Sequence, residues 1–199
     1  MRMRIIAAAL TLSLATLSAP ATQFLIESSD DGNLVKFLST APMESFEGKT
    51  DRISGSVEVD FADLGDDLKV EVRVDLASLD TGLKLRNRHM RDNHLETDQF
   101  PEAVFRAERF LEAPATLAPG DLADCILDGE MNLHGISRAI QVPVSLRCGS
   151  EGDRIFIDVE SEFEISLPDY EIKRPKFLIL KLNETQEVSI RLRAWEVAK

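Results

Sequence analysis

Apolar residues recur at every second position through most of this chain. Leu68, Val70, Val72, Val74 and Leu76 alternate with Lys69, Glu71, Arg73 and Asp75. Ile155, Ile157, Val159, Phe163 and Ile165 alternate with Phe156, Asp158, Glu160, Glu162 and Glu164, and small Ser161 continues the apolar side. Val188, Ile190, Leu192 and Ala194 repeat the pattern near the C-terminus, and weaker versions occupy 34–39, 52–61 and 103–111. A period of two puts one set of side chains on one face of a β-strand. With two arms flanking Gly135 to Arg138, the pattern predicts eight strands, and 23–28 adds a short one. Turn residues separate them: Asp30-Asp31-Gly32-Asn33, Leu64-Gly65-Asp66-Asp67, Pro119-Gly120-Asp121 and Gly149-Ser150-Glu151-Gly152.

Only 80–101 breaks the alternation at length. Asp80-Thr81 offers helix N-cap chemistry and Pro101 precedes the next strand, so a helix over about 82–95 is expected between strands. Hairpin-length links favour antiparallel neighbours. One buried face per strand suits a barrel or a sandwich, and a barrel also removes exposed edges. The expectation is all-β: an eight-stranded antiparallel lipocalin-like barrel with one inserted helix, in a single domain over 22–199.

The first residues are set aside from the fold. Arg2 and Arg4 precede an apolar run from Ile5 to Leu17, and Ala19-Pro20-Ala21 supplies small residues for cleavage. This is the pattern of a signal peptide over 1–21, its apolar run too short to span a bilayer. The mature chain is expected to start at Thr22, in the periplasm or outside the cell, and no later segment is apolar for long enough to be transmembrane. The formal net charge of −12 opposes binding to nucleic acid and to anionic headgroups.

Two cysteines in an exported chain raise the question of a disulfide. Cys125 and Cys148 lie on two arms of one hairpin. With Ile136-Ser137 at its tip, Leu133 would face Ile140 and Cys125 would face Cys148, within disulfide reach. A cross-strand Cys125–Cys148 disulfide is therefore expected.

The helical segment "LKLRNRHMRDNH" (83–94) holds Lys84, Arg86, Arg88 and Arg91 against Asp92 alone, with two of the three histidines, His89 and His94. Five residues on a helix separate those rings by roughly 140° about the axis, which argues against a shared metal ion. No metal and no cofactor is expected. Leu83 and Met90 should pack inward. The basic side is either scaffold, solvated or paired with strand carboxylates, or a clamp for an anionic head built from Arg86, Arg88, His89 and Arg91. G-x-S-x-G and Gly-rich phosphate loops are absent, and His134 beside a turn reads as structural, so no catalytic residue is named. Lys173, Arg174 and Lys176 beside Tyr170 form a second basic cluster.

Taken in order, these features resemble the YceI-like, polyisoprenoid-binding proteins of the bacterial periplasm. "VDLASLDTGLKLRNRHMRDNHLETDQFPEAVF" (74–105) looks like that family's strand, D-T-G, R-x-x-H-[LM]-R and acidic-aromatic-proline approach to the next strand. "GEMNLHGISRAIQVPVSL" (129–146), "FEISLPDYEIKRPKF" (163–177) and "ETQEVSIRLRA" (184–194) follow in the family's order. The N-terminal part lacks the usual His-Ser pair and diverges.

The resemblance implies a lipocalin-like barrel whose interior holds an isoprenoid or similar amphipathic lipid: a polyprenyl phosphate, a quinone or a fatty-acid-like chain. The wall would be the inward alternates Val70, Val72, Val74, Ile155, Ile157, Val159, Val188, Ile190 and Leu192. A barrel of this size either fills itself with side chains or holds one ligand. If filled, the same residues are core, and the chain becomes an interaction or stress-response module acting through its acidic surface. A non-enzymatic carrier is the first expectation, and a homodimer is compatible with it.

Overall fold

The structure is a computed structural model that describes residues 21–28, 32–40, 45–65, 68–174, 176–177 and 180–197. The predicted leader lies outside the described residues except for Ala21, as do Asp30, Asp31, Asp66 and Asp67 of the predicted turns.

Alternation becomes strand wherever it was seen. Among the described residues the strands are β1 (Thr22–Ile26), β2 (Leu34–Thr40), β3 (Ser45–Thr50), β4 (Ile53–Val59), β5 (Lys69–Asp75), β6 (Glu102–Glu112), β7 (Leu122–Leu133), β8 (Ile136–Glu151), β9 (Arg154–Ser166), β10 (Lys176–Phe177), β11 (Leu180–Lys181) and β12 (Thr185–Glu196). The helix α1 (Lys84–Met90) sits between β5 and β6 and continues as a wider π-type turn over Arg91–Leu95.

β1, β4, β5, β6, β7, β8, β9 and β12 hydrogen-bond in that order, and β1 then pairs with β12, closing an eight-stranded antiparallel barrel. β2 and β3, which belong to the same sheet, do not widen the ring. β12 carries β1 at its far end (Leu25 opposite Trp195) and β2 along its middle (Phe37 opposite Val188). β2 therefore extends the wall position of β1, and β3, paired with β2, extends that of β4. Closure gives every strand of the ring a neighbour on each side over at least part of its length, and two register shifts between β6 and β7 let those strands bend around it.

The β7–β8 hairpin departs from expectation. Its two-residue loop is His134-Gly135, both with positive φ (54° and 75°), so Leu133 pairs with Ile136. Positive φ at both loop positions is the type I′ arrangement, whose twist matches the flanking strands. A Cβ on Gly135 would come within 2.6 Å of the Phe100 ring, so the turn is closed to other residues by space as well as by φ. Relative to the expected tip, the register slips by four. Parity is kept, so Leu127, Met131, Leu133 and Val142 still face inward.

That slip removes the predicted disulfide. Cys125 faces Val144, Cys148 pairs with Ile157 of β9, and both are free, buried thiols. Four positions along a strand place Cys148 about 13 Å beyond Cys125's partner, past the reach of an S–S bond. Burial pushes both thiols up from their ordinary pKa, Asp124 adding to it for Cys125 and Glu196 for Cys148.

The β8–β9 ladder runs from Glu151 opposite Arg154 only as far as Ser145 opposite Glu160. Pro143 has no N–H to continue it, and its carbonyl instead accepts from Ser161 Oγ at 2.6 Å. Beyond that point a short turn, Leu167–Tyr170, crosses beside β8. It is tied down by Arg138 Nε to the Asp169 carbonyl and His134 Nδ1 to the Tyr170 carbonyl, each 3.0 Å, and it buries Tyr170 and Ile172.

Candidate ligand chamber

The barrel is hollow. A chamber of ≈ 820 Å³ occupies its helix end, walled by Phe37, Leu76, Leu79, Phe163, Ile165 and Val188 among others. A smaller space of ≈ 100 Å³ lies deeper, and Val74, Ala103, Met131, Phe163 and Ile190 line both. The two form one apolar interior with a neck at those residues.

The expected wall positions can now be placed. Val70, Val72, Val74, Ile157, Val159, Ile190 and Leu192 line the deeper space, and Val74, Val188 and Ile190 the chamber. Ile155 lies elsewhere: it is 37% exposed, opposite Ser150 beside the β8–β9 turn, and touches neither space. Its neighbour Phe156, on the opposite parity, is buried on the outside of the barrel beneath Arg193 (3.8 Å from its ring centre) and against Trp195.

The sequence reading missed the aromatic rim of the chamber, Phe37 and Phe46, because the alternation through β2 and β3 is weak. Gly48 is the signal that was available. A Cβ there would lie 2.2 Å from the Phe37 ring, so glycine leaves the space in which that ring lies over β3. Apart from the polar residues of the inserted helical segment, Ser39 and Gln186 also face the chamber. Ser39 Oγ is buried without a hydrogen bond, while Gln186 Nε2 donates to the carbonyls of Asn183 and Thr185.

The inserted helix forms the mouth. Its start is built differently from expectation: Leu83 is the cap and makes no side-chain cap bond. Instead Asn87 reaches back from the first turn. Its Oδ1 accepts from Thr81 N–H (2.9 Å) and Thr81 Oγ1–H (2.6 Å), and its Nδ2 donates to Asp80 Oδ1 (2.7 Å). Asp80 Oδ1 also accepts from Gly82 N–H, and the bonds from Asn87 and Gly82 hold its carboxyl below the ordinary pKa. The D-T-G stretch thus serves as a clasp that fixes where the helix leaves the barrel.

The four head-group candidates separate on this geometry. Arg86 is part of the clasp: Nε donates to Thr81 Oγ1 (2.9 Å), Nη2 to the Thr81 carbonyl (2.7 Å), and the guanidinium lies 4.1 Å over the Phe46 ring. His89 is exposed and lines the chamber beside Arg86. Arg88 and Arg91 do not line it, and Arg91 makes only a long 3.5 Å contact to the Ala77 carbonyl. Met90 is half-buried and lines it, as expected; Leu83 reaches only its rim and is exposed rather than packed inward, and Lys84 and Leu85 lie on the same rim.

His94, at the far end of the helical segment, also faces the chamber. Its Nδ1 donates to the Lys173 carbonyl at 2.8 Å, joining the helix to the chain that follows β9. Burial pushes the imidazole below its ordinary pKa, the bond to Lys173 opposes this, and electrostatic repulsion from His89 and Lys173 adds to the depression. Among the described residues no cluster of three or more His, Cys, Asp or Glu could hold a metal ion, and no helix is long and apolar enough to cross a membrane.

A closed eight-stranded antiparallel barrel, hollow, apolar within and partly covered by an inserted helix, defines a lipocalin-like class of protein. The family model described as the YceI-like domain matches residues 30–194, and the chain belongs to the YceI-like family. The chain is similar in structure to a polyisoprenoid binding domain from Saccharophagus degradans, at 20% identity and a TM-score of 0.63, covering 89% of this chain and 99% of that one. It is also similar to BcnA of Burkholderia cenocepacia (18% identity, TM-score 0.65, 84% and 98% covered). A third similar structure is the YceI protein of Campylobacter jejuni (15% identity, TM-score 0.62, 76% and 85% covered). No curated protein matches in sequence.

Proposed function

We propose that this protein is a non-enzymatic periplasmic carrier that holds an isoprenoid or similar amphipathic lipid inside its barrel. The carrying observation is the interior itself. The ≈ 820 Å³ chamber, continued by the deeper space, is walled almost wholly by aliphatic and aromatic side chains. That volume falls in the usual range for small-molecule sites, and an apolar tail gains about 25 cal/mol per Å² removed from water there. The similarity to a polyisoprenoid binding domain supports the same ligand class. Val70, Val72, Val74, Ile157, Val159, Ile190 and Leu192 would hold the tail, and His89 at the mouth would stand beside its head.

The ionisable side chains on the lining, Lys84, Arg86, His89 and His94, all belong to the helical segment at the mouth, and walls that are otherwise aliphatic and aromatic suit retention of an apolar tail. Export rests on the leader pattern at 1–21, and cell fractionation with N-terminal sequencing, expected to begin at Thr22, tests it. Native mass spectrometry of gently purified protein tests the carrier reading and should show a bound lipid. Protein that arrives empty, and then takes up no polyprenyl phosphate, quinone or fatty acid, would overturn it.

A further inference from the structure

The mouth of the chamber carries two leucines that the fold does not use. Leu83 is 57% exposed and Leu85 61% exposed, both on the chamber rim, where Lys84, His89 and Asn93 are exposed as well. Exposing two large aliphatic side chains on one rim forgoes burial that the barrel could have supplied.

The cations beside them are also unspent. Lys84 stands exposed on the chamber rim, and Arg88, four residues on, is exposed on the part of the helix that does not line the chamber. Lys84 and Arg88 make no ion pair or hydrogen bond among the described residues. Asp92 is the only acid between Leu83 and His94 in a chain of formal net charge −12. The nearby Asp80 is occupied by Gly82 and Asn87. A basic, leucine-tipped rim on an acidic body is a local feature, and screening over about 8 Å at physiological ionic strength lets it act locally.

We propose that the helix-bearing rim, with Leu83 and Leu85 at its tip and Lys84 and Arg88 beside them, docks on the surface of an anionic phospholipid bilayer. Leucines enter the headgroup–acyl boundary while basic side chains meet lipid phosphates, the arrangement of interfacial helices. Because the same rim surrounds the chamber mouth, docking would set the opening against the membrane, and a tail could pass without crossing water. The purpose of docking rests on the carrier reading, but the docking itself does not.

The test is co-sedimentation of ligand-free mature protein with vesicles of phosphatidylcholine alone, or of phosphatidylcholine with about one-third phosphatidylglycerol. Binding is expected to the anionic vesicles, weaker to the neutral ones, and to fall with salt. Leu83→Gln with Leu85→Gln should lower the partition coefficient about tenfold or more, from the apolar area withdrawn. Arg88→Glu with Lys84→Glu should abolish the preference for anionic vesicles. Circular dichroism checks that each variant is folded, as expected for exposed positions. Wild-type protein that ignores anionic vesicles, or folded variants that bind them as wild type does, would overturn the proposal. Since no ligand is present, an empty chamber in the mass-spectrometric experiment leaves this result readable, and the reverse holds too.

Discussion

His94 and Lys173, 79 positions apart, meet at 2.8 Å where the imidazole Nδ1–H donates to a main-chain carbonyl. This bond ties the inserted helix to the segment after β9 across the edge of the chamber. Replacing His94 with Ala should cost about 1 kcal/mol of unfolding free energy. It should also speed release of a preloaded lipid, read by stopped-flow transfer to acceptor vesicles. Unchanged stability and unchanged release would remove the bond from any part in closing the mouth.

The same histidine makes stability depend on pH, and the sign follows from its depressed pKa. Above the ordinary imidazole value both states are neutral and the term vanishes. As pH falls through about 6.5 the unfolded chain takes the proton first, so stability declines, by at most about 1.4 kcal/mol per pH unit. The decline ends once pH passes below the folded value. His94→Gln should flatten the urea midpoint between pH 7 and pH 5, and a slope unchanged in that variant would assign it elsewhere.

Asp158 gives a dependence lower on the scale. Burial would raise its pKa, but hydrogen bonds from Arg193 (2.6 Å) and Arg147 (2.7 Å) outweigh this and hold it below the ordinary value. Its contribution is complete above the unfolded value and is lost as pH falls through the folded one. Asp158→Asn should therefore be destabilised by about 1–3 kcal/mol at pH 7, with the difference from wild type shrinking toward pH 2. A difference that persists unchanged in acid would show that packing, not charge, sets it.

What could be read in the sequence was whatever a period of two decides: the long strands, their inward face and the single helical interruption, but not the short β3, β10 and β11. Parity survives a slip by an even number of residues, so Leu127, Met131, Val142 and Val144 are inward in either register of the β7–β8 hairpin. Register itself turns on the backbone of two residues, His134 and Gly135, and only the φ values there exclude a tip at Ile136-Ser137. The disulfide fell with that choice. The helix start was misread for a related reason: Asp80 and Thr81 have capping side chains, but Asn87, one turn in, spends them on the clasp. Hollowness was not legible at all, since a filled barrel uses the same alternating valines.

The thiols offer a direct check on the register. Denatured, unreduced mature protein should titrate two thiols per chain, while in the native state burial should keep both slow toward alkylation. A count of zero would undo the four-residue slip and return the β7–β8 pairing in which Cys125 faces Cys148.

The neck between the two spaces is where occupancy can be altered with least harm to the barrel. Ala103, opposite Val74, lines both spaces and has room before it. In a tightly packed core, adding a ring costs about 1–3 kcal/mol, through displaced neighbours and strained rotamers. Here the ring would enter empty volume, so Ala103→Phe should change unfolding free energy by less than about 1 kcal/mol, the added apolar burial offsetting local strain. The ligand should respond instead. A tail long enough to pass the neck loses the deeper space, so long-chain isoprenoids should bind less tightly while short ones are little affected. Titration with a homologous series of prenols, read by displacement of a fluorescent fatty acid, would give that chain-length dependence. Equal loss across the series would place the effect at the mouth, and no loss at any length would place the tail outside the barrel interior.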